Sequence, residues 1–144
     1  MNNEPIIVER QFNSPSSRMW NALTDKNEMK SWYLDLQEFR PEEGFKFSFT
    51  DGPSPEKQFV HLCEVTEVIP GKKLSYSWVY EGYSGYSVVT FELFEQGDKT
   101  LLKLTHDGVG TFPADNEDFA RNNFVEGWNE IINQSLNNYL EKNN

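Results

Sequence analysis

Cysteine occurs once in this chain, at Cys63, and histidine twice, at His61 and His106. A lone thiol forms no intramolecular disulfide, and one Cys with two His is too small a set for a thiolate- or imidazole-rich metal site. Basic residues are scarce: 13 Lys and Arg face 23 Asp and Glu, a formal charge of -10, so a nucleic-acid backbone or an anionic membrane surface would repel the chain. Long apolar runs are missing, the aliphatic ones being as short as Ile6-Ile7-Val8, and the N-terminal MNNEP has no basic stretch leading into an apolar one. Neither a secretory signal nor a membrane span is expected, and a cytoplasmic location is. No GxSxG, HExxH or phosphate-cradling glycine loop is present, so no oriented triad is signalled and no cofactor is implied. No repeat, linker or low-complexity tract divides the 144 residues, which suffice for one core-bearing domain, 1–144, and not for two ordinary ones. What the chain has in quantity is aromatic surface. Eleven Phe, six Tyr and four Trp require an account of where so many large rings go.

Residues 6–12 alternate in part, with Val8 and Phe12 on one parity and Glu9 and Gln11 on the other, as in a half-buried strand. Ser14 fits a helix N-cap with Pro15 at the first helical position, and Met19, Trp20 and Leu23 follow at helical spacing. Asp25 three residues before Glu28 resembles a capping box, with Met29, Trp32 and Tyr33 behind it. From Gly44 the period becomes two. Phe45, Phe47 and Phe49 mark a strand that DGPSP is expected to end, because turn-formers interrupt a ladder. Strands follow over 59–68, around Leu74, Tyr76, Trp78 and Tyr80, around Val89, Phe91 and Leu93, and around Leu102, Leu104 and His106. Asp115 is placed to cap a terminal helix over 115–142, ~42 Å long at 1.5 Å per residue. Its stripe holds Phe124, Trp128, Ile131, Ile132, Ser135, Leu136, Tyr139 and Leu140. One strand, two short helices, roughly six strands and a long helix make an α+β fold built on an antiparallel sheet.

This order resembles the START/Bet v 1-like helix-grip superfamily (SRPBCC), and within it the proteins similar to the activator of heat-shock protein 90 ATPase. The likeness is carried by SPSSRMWNALTD, KSWY, EVTEVIPGKKLSYSW, SVVTFELFEQGDKTLLKLTHDG and EGWNEIINQSLNNYLEK, which together cover nearly the whole chain. One departure is the turn after the EV strand, where the family's proline pair reads Pro70-Gly71. The resemblance implies a curved antiparallel sheet wrapped around the C-terminal helix, with an apolar cavity or groove between them and the small helices closing one end. The chaperone activators that name the family also carry a separate N-terminal chaperone-binding domain, for which 144 residues leave no room.

Parity turns Phe45, Phe47, Phe49, Phe59, Tyr76, Trp78, Tyr80, Val89, Phe91, Leu102 and Leu104 inward, opposite Phe124, Trp128, Ile131 and Ile132. These side chains either fill the grip or line a pocket. An empty void of ~300 Å³ would cost about 7 kcal/mol at ~24 cal/mol per Å³, comparable with the stability of a small domain. A cavity therefore needs water, a ligand or a scaffold with stability to spare. His61, Cys63 and His106 share the inward parity, as do the Tyr76 and Tyr80 hydroxyls, and any of them exposed in a pocket would orient a ligand. The plainer reading of each His is a strand residue bonded to backbone or water, and of Cys63 a small buried hydrophobe rather than a nucleophile. Arg10 either snorkels at the sheet end or awaits an acid, and close packing is the plain reason for Gly127 inside a helix. Tyr83 and Tyr86 either rim a mouth or are ordinary turn tyrosines.

The leading expectation is a small hydrophobic or aromatic ligand bound between sheet and helix. Its candidate contacts are Phe47, Phe49, Phe59, His61, Tyr76, Trp78, Tyr80, Val89, Phe91, Leu104, His106, Phe124, Trp128 and Ile131. The family likeness offers a chaperone-contacting module as an alternative. A cyclase- or dehydratase-type enzyme is a third, needing a cavity histidine as acid or base. No catalytic residue and no metal ligand is assigned, and monomer and homodimer are equally compatible with the pattern.

Overall fold

The computed structural model describes residues 4–142; residues 1–3, read above for a targeting signal, and residues 143–144 lie outside the described residues. Strand β1 (Ile6–Phe12) is followed by helices α1 (Ser16–Thr24) and α2 (Lys26–Trp32), then strands β2 (Lys46–Ser54), β3 (Lys57–Ile69), β4 (Lys73–Tyr80), β5 (Ser87–Gln96) and β6 (Lys99–Asp107). The strands form one antiparallel sheet in the order β1-β6-β5-β4-β3-β2, so six is the total and five follow the helices. The sheet curls into a half-barrel around a 22-residue terminal helix. That helix runs as α3 (Arg121–Glu130), a π-helical stretch (Ile131–Leu136) and α4 (Asn137–Lys142). This is the α+β helix-grip architecture expected. Among the described residues no helix is long and apolar enough to cross a membrane.

Alternation does most of the placing. On β3, Phe59, His61, Cys63 and Val65 are buried while Leu62, Glu64 and Thr66 are exposed. The same parity on β4, β5 and β6 buries Tyr76, Trp78, Val89, Phe91, Leu102 and Leu104 against the terminal helix. The β5–β6 register is set by a two-residue turn in which Gly97 takes φ +71°, a conformation that favours glycine.

Four local readings are corrected. Pro15, not Ser14, occupies the cap position of α1 and no side chain caps that helix; the buried Ser14 instead accepts Thr100 Oγ1 on its carbonyl at 2.8 Å. Asp25 does cap α2, accepting from Asn27 N at 2.8 Å, but Glu28 does not return to complete a box. It pairs with Arg18 and accepts from the Tyr139 hydroxyl at 2.9 Å, tying α1, α2 and α4 together. DGPSP does not end β2. The strand runs to Ser54 with a bulge between Asp51 and Ser54, because β2 is the edge of the sheet, where a proline need not donate. Finally, the terminal helix begins at Arg121 rather than at Asp115, so it is about 33 Å long. The residues before it form two short 3₁₀ turns (Val109–Thr111 and Glu117–Phe119), the second capped by the Asn116 side chain on Asp118 N at 3.0 Å. That turn delivers Phe119 to the core, where it stacks on Tyr80 at 4.5 Å between ring centroids.

Among the described residues Arg10 pairs with no acid. It is half-buried, its Nη1 donating to the backbone and side-chain oxygens of Asn133, each at 3.3 Å, and its guanidinium lies over Phe12. These neutral acceptors sit in the π-helical stretch, so the cation braces the irregular turn of the terminal helix.

Candidate functional site

The grip is filled at one end and open at the other. At the filled end Tyr33, at the C-terminus of α2, packs within 5.9 Å of Trp128 and 6.3 Å of Phe91, and its hydroxyl meets that of Tyr76 at 2.5 Å. Phe47 lies edge-on to Tyr76 and Phe39, and Val89, Phe91 and Leu104 are fully buried. At the other end a cavity of about 430 Å³ lies between the sheet and α3, with exposed Asp51 and Pro53 at its mouth. Sealed and dry, that volume would cost about 10 kcal/mol. Its opening to the exterior lets water or a ligand occupy it instead.

Of the fourteen residues expected to contact a ligand, Phe59, His61, Trp78, Tyr80, Phe124, Trp128 and Ile131 line this cavity. Phe47, Phe49, Tyr76, Val89, Phe91, Leu104 and His106 do not. Phe49 stands behind the lining, stacked on His61 at 4.3 Å and edge-on to Trp78 at 5.4 Å. The others belong to the filled end or lie beneath the lining. Sheet parity distinguishes the two faces of a sheet and cannot tell one end of the concave face from the other.

His106 is fully buried and its bonding is fixed by its neighbours. The Trp128 indole N–H can only donate, and at 2.9 Å it does so to His106 Nδ1. The proton must then be on Nε2, which donates to Ser87 Oγ at 2.9 Å, and the Ser87 hydroxyl in turn donates a hydrogen bond to the Trp78 carbonyl at 2.7 Å. Every member is satisfied with a neutral ring, and burial pushes the imidazole pKa down to about 3. His106 is therefore a brace that joins the helix to the sheet. With both nitrogens bonded and no place on the cavity wall, His106 cannot serve the cavity as an acid or base.

His61 is different. Its Nδ1 donates to the Phe59 carbonyl at 3.0 Å, so the neutral ring carries its lone pair on Nε2, and the ring lines the cavity. Burial lowers its pKa, opposed more weakly by the Phe59 carbonyl, the Asp51 charge and the Phe49 carbonyl. Tyr80 supplies the complementary group. Its hydroxyl accepts the Trp78 indole N–H at 2.9 Å and keeps its own proton to donate, and burial raises its pKa to about 12. Cys63, pushed up to about 12 by burial, is a thiol and not a nucleophile.

Seven lining residues were absent from the sequence-based set: Asp51, Gly52, Pro53, Asp118, Phe119, Asn123 and Gly127. The first three continue a strand that was expected to stop, and Phe119 comes from the 3₁₀ turn that was expected to be helix. Asn116 two residues before Asp118 was the available signal for that turn. Close packing does not account for Gly127. A Cβ built there meets nothing within 4 Å, so no close approach explains it; it stands on the cavity wall and leaves the space open. Tyr83 packs on Phe59 and Phe119 beside the mouth, and Tyr86 lies on the opposite face of the sheet.

Residues 13–141 match the family described as Activator of Hsp90 ATPase homolog 1-like protein. No functionally curated protein matches the chain. Among solved structures, protein MLL2253 from Mesorhizobium loti is similar at 27% identity and a TM-score of 0.75, covering 98% of this chain and 99% of that one. CalU16 from Micromonospora echinospora is similar at 25% identity and a TM-score of 0.71, covering 94% of this chain and 74% of that one. DynU16, from the dynemicin biosynthetic locus, shares the fold at 22% identity and a TM-score of 0.74, covering 97% of this chain and 48% of its own.

Proposed function

The chain belongs to the Activator of Hsp90 ATPase homolog 1-like family, and from that premise we propose that it binds a small molecule with a hydrophobic, aromatic body in the cavity between the sheet and α3. The observation that carries this reading is the open half of the grip: about 430 Å³ walled by Phe59, Trp78, Tyr80, Phe119, Phe124 and Trp128, with a glycine where alanine would favour the helix. The volume falls among small-molecule pockets of roughly 300–1,000 Å³. Rigid rings give contact area at low entropic cost. The polar end of the ligand has two groups to meet, the His61 Nε2 acceptor and the Tyr80 hydroxyl donor, and leaving either unmatched on burial would cost about 1–3 kcal/mol.

The test is titration with lipids, flavonoids and polyketide-like compounds while following tryptophan fluorescence, since Trp78 and Trp128 line the site with ring centroids 5.6 Å apart. A saturable change below millimolar is expected, and Gly127→Phe, whose ring would project into the open space, should abolish it while leaving the circular dichroism spectrum intact. Absence of any submillimolar binder, or binding that survives Gly127→Phe, would refute the reading.

A further inference from the structure

Charge is distributed unevenly around the cavity. Among the described residues no Lys or Arg lines it, whereas two carboxylates do, Asp51 and Asp118. Asp118 is already matched, its Oδ2 lying 2.7 Å from Lys57 Nζ. Asp51 makes no hydrogen bond or ion pair with a described residue, and its charge acts on both His61 and Tyr80. The extension of β2 holds it there: Asp51 pairs with Phe59 across the ladder and shares the parity of Phe47 and Phe49, so it lies on the concave side. His61, only 6% exposed, adds the Nε2 lone pair of its neutral ring. The remaining wall is aromatic, and ring faces carry the negative end of their quadrupole.

A ligand headgroup thus meets a free carboxylate, a lone pair and ring faces, with the Tyr80 hydroxyl as the single opposing donor among these groups. A carboxylate or phosphate would give up its hydration to face like charge, while an ammonium would be attracted by each of the three. We propose that the ligand is a small aromatic molecule bearing one ammonium group, its rings among the tryptophans and its cation at the mouth between Asp51 and His61. This rests on the ligand-binding reading above and narrows it by charge.

The experiment compares three ligands of one shape, naphthylethylamine, naphthylethanol and naphthylacetate, by isothermal titration calorimetry at neutral pH and low salt. The amine should bind about fivefold tighter than the alcohol, the factor for a partly exposed ion pair, and the acetate weakest. Asp51→Asn should bring the amine within about twofold of the alcohol, chiefly by weakening the amine, and high salt should narrow the gap in the native protein. Asp51 is exposed and unpaired, so an unchanged thermal melt is expected to accompany this loss. An alcohol that binds as well as the amine, or a preference that survives Asp51→Asn, overturns the cation assignment and leaves the cavity reading standing. Failure of all three to bind overturns both.

Discussion

Replacing Gly127 by alanine gives the sharpest test of how the cavity is built. Glycine inside a helix is less favourable than alanine by about 0.8–1 kcal/mol, chiefly through backbone entropy in the unfolded chain. That gain is available only where the methyl group meets no obstacle, and here nothing lies within 4 Å of the Cβ position and the backbone is not left-handed. Gly127→Ala should therefore stabilise the protein by about 0.8–1 kcal/mol, raising the midpoint by about 3–4 °C for a chain of this size. Gly52→Ala is the control of opposite sign. Its Cβ would lie 1.9 Å from the Lys57 carbonyl oxygen, so backbone must move, and a loss of about 1–3 kcal/mol is expected. Both are read by thermal melts and urea titration, with ligand affinity measured alongside, because the new methyl at residue 127 narrows the site it helps to stabilise. A neutral or destabilised Gly127→Ala variant would show that the wall is not open there, and the argument from glycine would fail.

Other consequences follow from the buried polar chain and the thiol. Trp128→Phe removes the donor to His106 together with part of the buried indole, and should cost at least about 1–3 kcal/mol in urea unfolding; a change within experimental error would mean that the bond is not stabilising. His106 is neutral when folded and titrates near 6.5 when unfolded, so the unfolded chain holds the extra proton between that value and about 3. Stability conferred by the neutral ring is intact above pH 6.5 and declines as the pH falls toward 3, by up to about 1.4 kcal/mol per pH unit. The stability difference between native protein and His106→Asn should shrink across that range, and a constant difference would contradict the bonding described. Cys63, buried and with its pKa raised, should react with a thiol reagent only as fast as the protein opens; labelling at the rate of a free thiol would refute its burial.

The parts of the fold legible in the sequence are those where a local period repeats. Phe47 and Phe49, Tyr76 and Trp78, and Val89 and Phe91 each declare a face, and the face is the one buried or half-buried. The β2 extension through Gly52 and Pro53 was hidden because the same residues end an interior strand and are tolerated at an edge, and edge position is a property of the whole sheet. The helix start was ambiguous because Asp115, Asn116 and Asp118 are all cap-forming types. The choice among them is made by Phe112 and Phe119 packing on Tyr80, contacts distant in the chain. The site was half legible for the same reason. Its strand and helix rings follow from parity and helical spacing, whereas Asp51, Phe119 and the vacancy beside Gly127 depend on where loops and the edge strand come to rest.

The π-helical stretch settles a problem of angular drift. Phe124, Trp128, Ile132, Leu136 and Leu140 are all buried, a series that steps by four. On a regular α-helix each such step rotates about 40° beyond a full turn, so the last residue would face some 160° from the first and point away from the sheet. The wider turn over Ile131–Leu136 gives back part of that rotation, and Arg10 clasps it from β1. Because the wide turn holds about one residue more than ordinary winding would, removing one residue here should give a regular helix with Leu136 and Leu140 still facing the core, whereas adding one should swing both off it by about 100°.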